Sequence, residues 1–153
     1  MNSTFVANSP AQNEDTTIRN DGWWPDLDLS DFKADYRIAT DNDDDRLSQV
    51  VIAAILEINS VAADWKKRQE ATDLSSVPAP QIDGESEKVI LYRNAVFYRA
   101  KSLLVAGRRD HDTTNSGHDR ANRLDDSNDE WMRMSTDSVN NLTDRKRFDA
   151  ELL

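Results

Sequence analysis

Three places in the sequence hold residue types that could do chemistry. The first is the acidic run Asp41-Asn42-Asp43-Asp44-Asp45. Closely spaced carboxylates are the material of a calcium loop, which also needs Gly at its sixth position and a bidentate Glu at its twelfth. Counted from Asp41, those positions hold Arg46 and Ile52, so a helix cap accounts for the run better than a metal does. The second place is the pair His111 and His118, the only histidines, with Asp110, Asp112 and Asp119 beside them. A weak surface metal site is the sharp reading and a solvated loop the commoner one; no nucleophile with an oriented base accompanies the pair. The third is Gly84, a lone glycine at a helix entrance. Neither G-x-G-x-x-G nor G-x-x-x-x-G-K-[ST] occurs, and the chain has four glycines, too few for phosphate-cradling loops. With no cysteine, disulfides, thiol chemistry and Cys-ligated zinc are excluded. No catalytic, cofactor-binding or metal-ligating residue is assigned, and the chain reads as non-enzymatic.

The elements that would position any site are helical. Residues 1–22 are mostly polar and read as a flexible arm, because such a segment buries too little to offset its ordering entropy. Order is expected from Trp23-Trp24-Pro25. Ser30 can cap a short helix over Asp31 to Ala39, with Phe32 and Tyr36 on one face. Thr40-Asp41-Asn42-Asp43 fits a capping box, with the following acids in a first turn where they complement the helix dipole. The next helix should reach about Glu70: Leu47, Val51, Ala54, Ile58, Val61 and Trp65 are spaced 4-3-4-3-4, while Val50, Ile55 and Ala62 widen the seam. Leu74 to Ile82, with Pro78 and Pro80, reads as an extended connection. Asp83 can cap a third helix over Glu85 to Ala106, ended by Gly107. That helix carries two stripes, Val89, Tyr92, Val96, Ala100, Leu103 and Ile90, Phe97, Leu104, so it must touch more than one partner. After a polar loop, a weaker helix over His118 to Leu142 is broken by Asn128 and Ser138 on its apolar face, and 143–153 reads as a mobile tail. The expected fold class is all-α, a small bundle of about four helices over 23–142.

Composition narrows the partners. Of 153 residues, 37% are hydrophobic and 31% charged, so the core must be thin for one domain and assembly with neighbours would add burial. Net charge is −10, and the basic run Arg145-Lys146-Arg147 is neutralised by Asp144, Asp149 and Glu151. Stable DNA binding, which draws its affinity from basic contacts to phosphates, is therefore disfavoured. No apolar stretch is long enough to span a bilayer and no signal-peptide pattern opens the chain, so no membrane partner is expected. Trp23 and Trp24 are either an exposed patch for a partner or a staple of the arm onto the bundle, the commoner fate of large aromatics beside an ordered domain. Trp65 and Trp131, on helical stripes, read as core.

Residues Gln81-Ile82-Asp83-Gly84-Glu85-Ser86-Glu87-Lys88-Val89, continuing through Tyr92-Arg93-Asn94-Ala95-Val96, resemble the phage head completion protein (GPL) family of peduovirus-like contractile-tailed phages. Trp24-Pro25-Asp26-Leu27-Asp28 is similar to that family's aromatic-Pro-Asp entry, Asp129-Glu130-Trp131-Met132-Arg133 to its acidic-aromatic-basic segment, and the loop Asp112 to Gly117 fits without gaps. The resemblance spans roughly Trp23 to Leu142. It implies a virion protein of the head–tail junction, made in the host cytoplasm. Subunits would join as a homo-oligomeric ring, dodecameric on assembly, on the portal protein. They would stabilise the filled head, meet a tail-terminator or neck protein, and let packaged DNA pass without specific binding. By analogy with related adaptors, 143–153 would be the portal-binding element, through Arg145, Lys146, Arg147, Phe148, Leu152 and Leu153. Trp23, Trp24, Ile90, Phe97, Leu104 and Trp131 are the candidate subunit or core contacts.

Two rivals come from other classes. An acidic helical interaction module, or a DNA mimic that inhibits a nucleic-acid enzyme, predicts carboxylates lined up on one face. A metal-dependent enzyme built on His111 and His118 predicts a bound metal. The acids are spread and the ligands are few, so both rank below the connector reading.

Overall fold

A computed structural model of the chain describes residues 16–38, 43–109 and 117–145, with backbone alone over 108–109 and 117–126. The elements run β1 (Thr17–Ile18), β2 (Leu27–Asp28), α1 (Leu29–Asp35), α2 (Asp44–Val61), α3 (Ala63–Lys67), a 3-10 turn (Leu74–Ser76), β3 (Gln81–Ile82), β4 (Glu85–Ser86), α4 (Glu87–Arg109) and α5 (Gly117–Leu142). The architecture is a helical bundle with two minimal antiparallel hairpins, β1–β2 and β3–β4. The all-α expectation holds.

The seam of α2 buries Leu47, Val51, Ala54 and Ile58, with Ile55 and Ala62 beside them. Val61, expected on that seam, is 47% exposed. The reason is a break: the helix stops at Ala62 and restarts as α3, which turns Trp65 into the core and ends at Lys67 rather than near Glu70. Helix α2 is capped by Asp43, whose carboxylate accepts from the Asp45 amide. The rest of the expected capping box, Thr40 to Asn42, lies outside the described residues. Helix α1 begins earlier than expected, because Asp28 and not Ser30 is its cap.

Asp83 is not a helix cap. Asp83 and Gly84 both take positive φ, 51° and 77°, and form the two-residue turn of the β3–β4 hairpin. Asp-Gly favours this turn because its twist matches that of the flanking strands. Ser86 takes the capping role, accepting from the Lys88 amide at 3.3 Å. At its other end α4 runs through Gly107 to Arg109. Gly107 keeps a negative φ, so it does not end the helix. The polar loop expected after it lies outside the described residues.

Helix α4 is the centre of the bundle and its two stripes find partners within the chain. Tyr92 meets α2, where its hydroxyl donates to Asn59 at 2.7 Å. Phe97 packs on Phe32 of α1, ring centroids 5.2 Å apart. The side facing α5 is small and polar, and it is hydrogen-bonded rather than dry: Ser135 donates to the Ala95 carbonyl (2.8 Å) and Ser102 to Asn128 (2.6 Å). Asn128 and Ser138 therefore do not break the helix–helix face. Small side chains let the backbones approach, and each hydroxyl is satisfied, Ser138 by the Met134 carbonyl. On the second apolar stripe of α4, Phe97 is covered by this chain's own α1 and Leu104 is buried, while Ile90 stays partly exposed.

Both ends reach further into the bundle than expected. Thr16 to Gly22 belong to it: the Thr16 hydroxyl donates to Asp28, and Asn20 closes a ring of hydrogen bonds with Tyr92 (2.8 Å) and Asn59 (3.1 Å). At the other end Thr143 is buried and Asp144 is tied down, so the boundaries placed at 22/23 and 142/143 move outward. An Asn in a polar arm carries no sign of this, because its partners come from elements 39 and 72 residues away.

Candidate functional site

Three surfaces are built from residues that face solvent or order a chain end. The first is a tryptophan corner. Asp21 accepts from the amides of Trp23 (2.9 Å) and Trp24 (3.0 Å), turning the two indoles onto the bundle. Trp24 is buried, stacked on Tyr92 at 4.8 Å, and Trp65 lies 6.4 Å beyond it. Trp23 is half-buried; its indole N–H donates to the Ala71 carbonyl (3.0 Å) and Lys66 sits 5.2 Å over its ring. Lys66 also pairs with Asp21 at 2.7 Å. Burial pushes the Asp21 carboxyl pKa up, but the bond to Lys66 and the two tryptophan amides outweigh it and hold the group below 3.8. The staple reading of the two tryptophans fits this corner, with Trp23 leaving one flank open on a groove of about 550 Å³ beside Ala63, Lys67 and Gln69. Lys66-Lys67-Arg68 is a basic run as long as Arg145-Lys146-Arg147, and sequence reasoning passed over it.

The second surface is an aromatic groove of about 460 Å³ where α1, α4 and α5 converge, lined by Asp35, Tyr36, Arg37, Tyr98, Lys101, Trp131 and Met134. Its three rings form a triangle: Tyr36–Tyr98 5.9 Å, Tyr36–Trp131 5.8 Å and Tyr98–Trp131 5.8 Å. All three are half-buried, so Trp131, expected in the core, stands at its edge. Burial raises the Tyr36 hydroxyl pKa well above its ordinary range. Arg37 holds the left-handed conformation, φ 49°, in the turn that ends α1, where the Ile38 amide donates to the Lys33 carbonyl (3.0 Å). That position suits Gly. Among the described residues no hydrogen bond or ion pair holds its guanidinium.

The third is a latch at the root of the C-terminal segment. The Lys88 side chain is 8% exposed. Its ammonium donates to the carbonyls of Leu142 (2.7 Å) and Asn141 (3.3 Å) and to the Asp144 carboxylate (2.7 Å). It thus occupies the negative end of α5, where a cation is favoured. Asp144 also accepts from the Trp65 indole N–H at 3.3 Å, and it too is left-handed, φ 56°. The Arg145 amide donates to Asn140 at 2.8 Å and completes the turn. The sequence carries a faint sign of the latch, a lysine in the first turn of a helix, where the dipole disfavours it.

Of the candidate contact residues, Trp24, Phe97 and Leu104 are buried in the core, while Trp23, Ile90 and Trp131 are partly exposed. Trp23 and Trp24 meet edge to face, ring centroids 4.6 Å apart; Trp24, Phe97 and Leu104 share the core cluster, and Trp131 is in the other groove. Of the proposed portal-binding set, Arg145 is exposed at the end of α5, and Lys146, Arg147, Phe148, Leu152 and Leu153 lie outside the described residues. His111 and the His118 side chain lie outside them too. Among the described residues there is no cluster of His, Asp and Glu that could hold a metal. No helix among them is long and apolar enough to cross a membrane. Several carboxylates are paired, Glu85 with Arg93 through two bonds of 2.7 and 2.8 Å and Glu57 with Arg99 at 2.6 Å, which argues against a free row of phosphate-like charges.

No solved structure matches the chain. Among curated proteins it is 31% identical over 133 residues to the "Head completion/stabilization protein" of Escherichia phage P2, covering 85% of this chain and 78% of the relative. It is 29% identical over 96 residues to the "Probable head completion/stabilization protein" of Haemophilus phage HP1, covering 60% of this chain and 63% of the relative. The sequence model of one family, "Phage head completion protein (GPL)", matches residues 18–153. The chain belongs to the phage head completion protein (GPL) family, a structural and not an enzymatic family.

Proposed function

We propose that the protein is a head–tail connector. Subunits assemble as a ring, twelve to a turn, on the portal protein after DNA packaging, stabilise the filled head, and offer the tail-terminator or neck protein its docking surface. The observation that carries this reading is family membership over 18–153. The latch supports it: Lys88 and Trp65 hold Asp144, so the segment Lys146 to Leu153 starts from a fixed point on the bundle. We assign that segment, with Arg145 at its base, as the portal-binding element. The net charge of −10 suits a wall past which DNA moves without being held.

The test is co-sedimentation with the portal ring, full-length against a chain ending at Arg145. Cutting there, and not at Leu142, leaves Thr143 and Asp144 in the bundle. Saturable binding that needs the segment is the expected result. A shortened chain that binds equally well removes the anchor role. A full-length chain that fails to bind at micromolar concentration and moderate salt overturns the connector reading, and leaves the acidic interaction module or DNA-mimic inhibitor in its place.

A further inference from the structure

We infer that Asp83 is a modification site, converted spontaneously to isoaspartate through the Gly84 amide, and that the fold shields the chain's other Asp-Gly pair, Asp21-Gly22, from the same reaction. The Gly84 amide nitrogen attacks the neutral Asp83 carboxyl at Cγ. A C–N bond forms, the carboxyl hydroxyl leaves as water with the amide proton, and a five-membered succinimide results. Water then adds to one of its two carbonyls. Addition at Cγ restores aspartate; addition at the main-chain carbonyl carries the chain through Cγ and leaves the carboxylate on Cα. Water is lost and regained, so no oxidant, reductant or cofactor enters and the mass is unchanged.

Glycine is the most permissive residue to follow the aspartate, because no side chain hinders approach to its nitrogen. Both pairs meet that condition alike. All four residues are exposed, Gly22 and Gly84 both take positive φ, 89° and 77°, and nothing lies within 4 Å of where a Cβ on either would stand. The carboxylates differ. Asp21 is clamped: Oδ1 accepts from the Trp23 and Trp24 amides and Oδ2 from Lys66. Burial raises its pKa, but those bonds outweigh burial and keep it ionised, and an ionised carboxylate is a poor target for attack. Among the described residues no hydrogen bond or ion pair holds the Asp83 carboxylate.

Attack also needs the Asp83 main chain to rotate out of its turn. That turn closes a hairpin of two residue pairs, Gln81–Ser86 and Ile82–Glu85, with Gln81 and Ile82 exposed, so its tip can open without disturbing the core. The Asp21 turn has no such freedom, because the indoles it positions are packed against Tyr92 and Trp65. Conversion at Asp83 adds a methylene to the main chain of a two-residue turn whose twist sets the strand pairing. It therefore upsets the register that brings Glu85 to Arg93 at the entrance of α4.

The full-length chain, aged in mildly acidic buffer and then digested with trypsin, reports the two pairs on separate peptides, 20–33 and 69–88. Isoaspartyl forms elute apart from their parents at equal mass, and electron-transfer fragmentation assigns the position. Isoaspartate is expected at 83 at least about tenfold faster than at 21, the rate factor of a single charge-assisted hydrogen bond broken on the way to attack. The same chain aged in urea is expected to form the two at similar rates, since unfolding removes the clamp. No isoaspartate at 83 in the folded chain, equal rates there, or a difference that survives in urea each overturns the proposal. Asp83→Glu, which would have to close a less favoured six-membered ring, should clear the isoaspartyl form from the 69–88 peptide. A form that remains there in D83E comes from Asp73 and overturns the assignment.

Discussion

Replacing Lys88 with Met should destabilise the bundle by about 2–4 kcal/mol, whereas replacing Asp144 with Gly should change stability by less than about 1 kcal/mol. The asymmetry follows from burial. The Lys88 side chain is 8% exposed, and its ammonium serves two carbonyls at the end of α5 as well as the carboxylate. Met fills the same volume but leaves those carbonyls without their donor and removes the cation from the negative end of the helix dipole. The Asp144 side chain is 70% exposed, so its half of the pair is screened by water and contributes little. Gly also relieves the left-handed backbone at φ 56°, which offsets what the lost bonds gave. Urea unfolding followed by tryptophan fluorescence measures both, since Trp65 touches the latch directly. The same variants separate stability from function: D144G should keep the fold yet weaken portal binding, because the exit of the C-terminal segment is no longer held. If K88M unfolds within about 0.5 kcal/mol of the native chain, or D144G loses as much as K88M, the reasoning from burial is wrong.

Three further outcomes are expected. Arg37→Gly should stabilise the subunit by about 0.5–1 kcal/mol in urea, because Gly adopts φ 49° freely; an unchanged urea midpoint would refute this. Ser135→Leu should cost about 2–3 kcal/mol by forcing α4 and α5 apart and removing the bond to the Ala95 carbonyl, visible as a fall in melting temperature; an unchanged melting curve would mean that the helices do not meet closely there. Acid should weaken the fold. The bond to Arg93 holds Glu85 below its ordinary 4.5, and Asp21 lies below 3.8. A carboxylate with a depressed folded-state pKa stabilises fully above its unfolded-state value and loses that contribution as pH falls through the folded-state one. Stability should therefore be flat near neutrality and decline below about pH 4.5, with Asp21→Asn shallower in that window.

Much of the bundle was legible because helical periodicity is a local property. The 4-3-4 spacing in α2 and the double stripe in α4 located both helices, although α2 stops at Val61 and not near Glu70, and the Leu47, Val51, Ala54, Ile58 seam is core. The errors sit where a residue type serves two structures. Asp83-Gly84 can cap a helix or turn a hairpin, and only the pairing of Gln81 with Ser86 decides between them. Asn128 and Ser138 look like flaws in an apolar stripe, yet Asn128 accepts from Ser102 of α4 and Ser138 satisfies its hydroxyl on the Met134 carbonyl of its own helix. Of the candidate surfaces, Trp23 and Trp24 stood out as adjacent aromatics. Tyr36, Tyr98 and Trp131 are scattered along the chain, and nothing in their spacing says that they share a groove.

By itself the sequence determined the helical class, the absence of cysteine chemistry, the acidic balance and the family, since composition, period and motif are all carried by neighbouring residues. Tertiary structure decided what the helices are for. What covers the second stripe of α4 depended on where α1 returns, and it returns to pack Phe32 on Phe97, leaving Ile90 partly exposed. It also decided where the bundle ends. Asn20 and Asp144 are polar residues at the margins of the chain, and each is held by partners tens of residues away, Asn20 by Tyr92 and Asp144 by Lys88. Contacts at that separation form only once the intervening helices have packed, so local sequence cannot announce them.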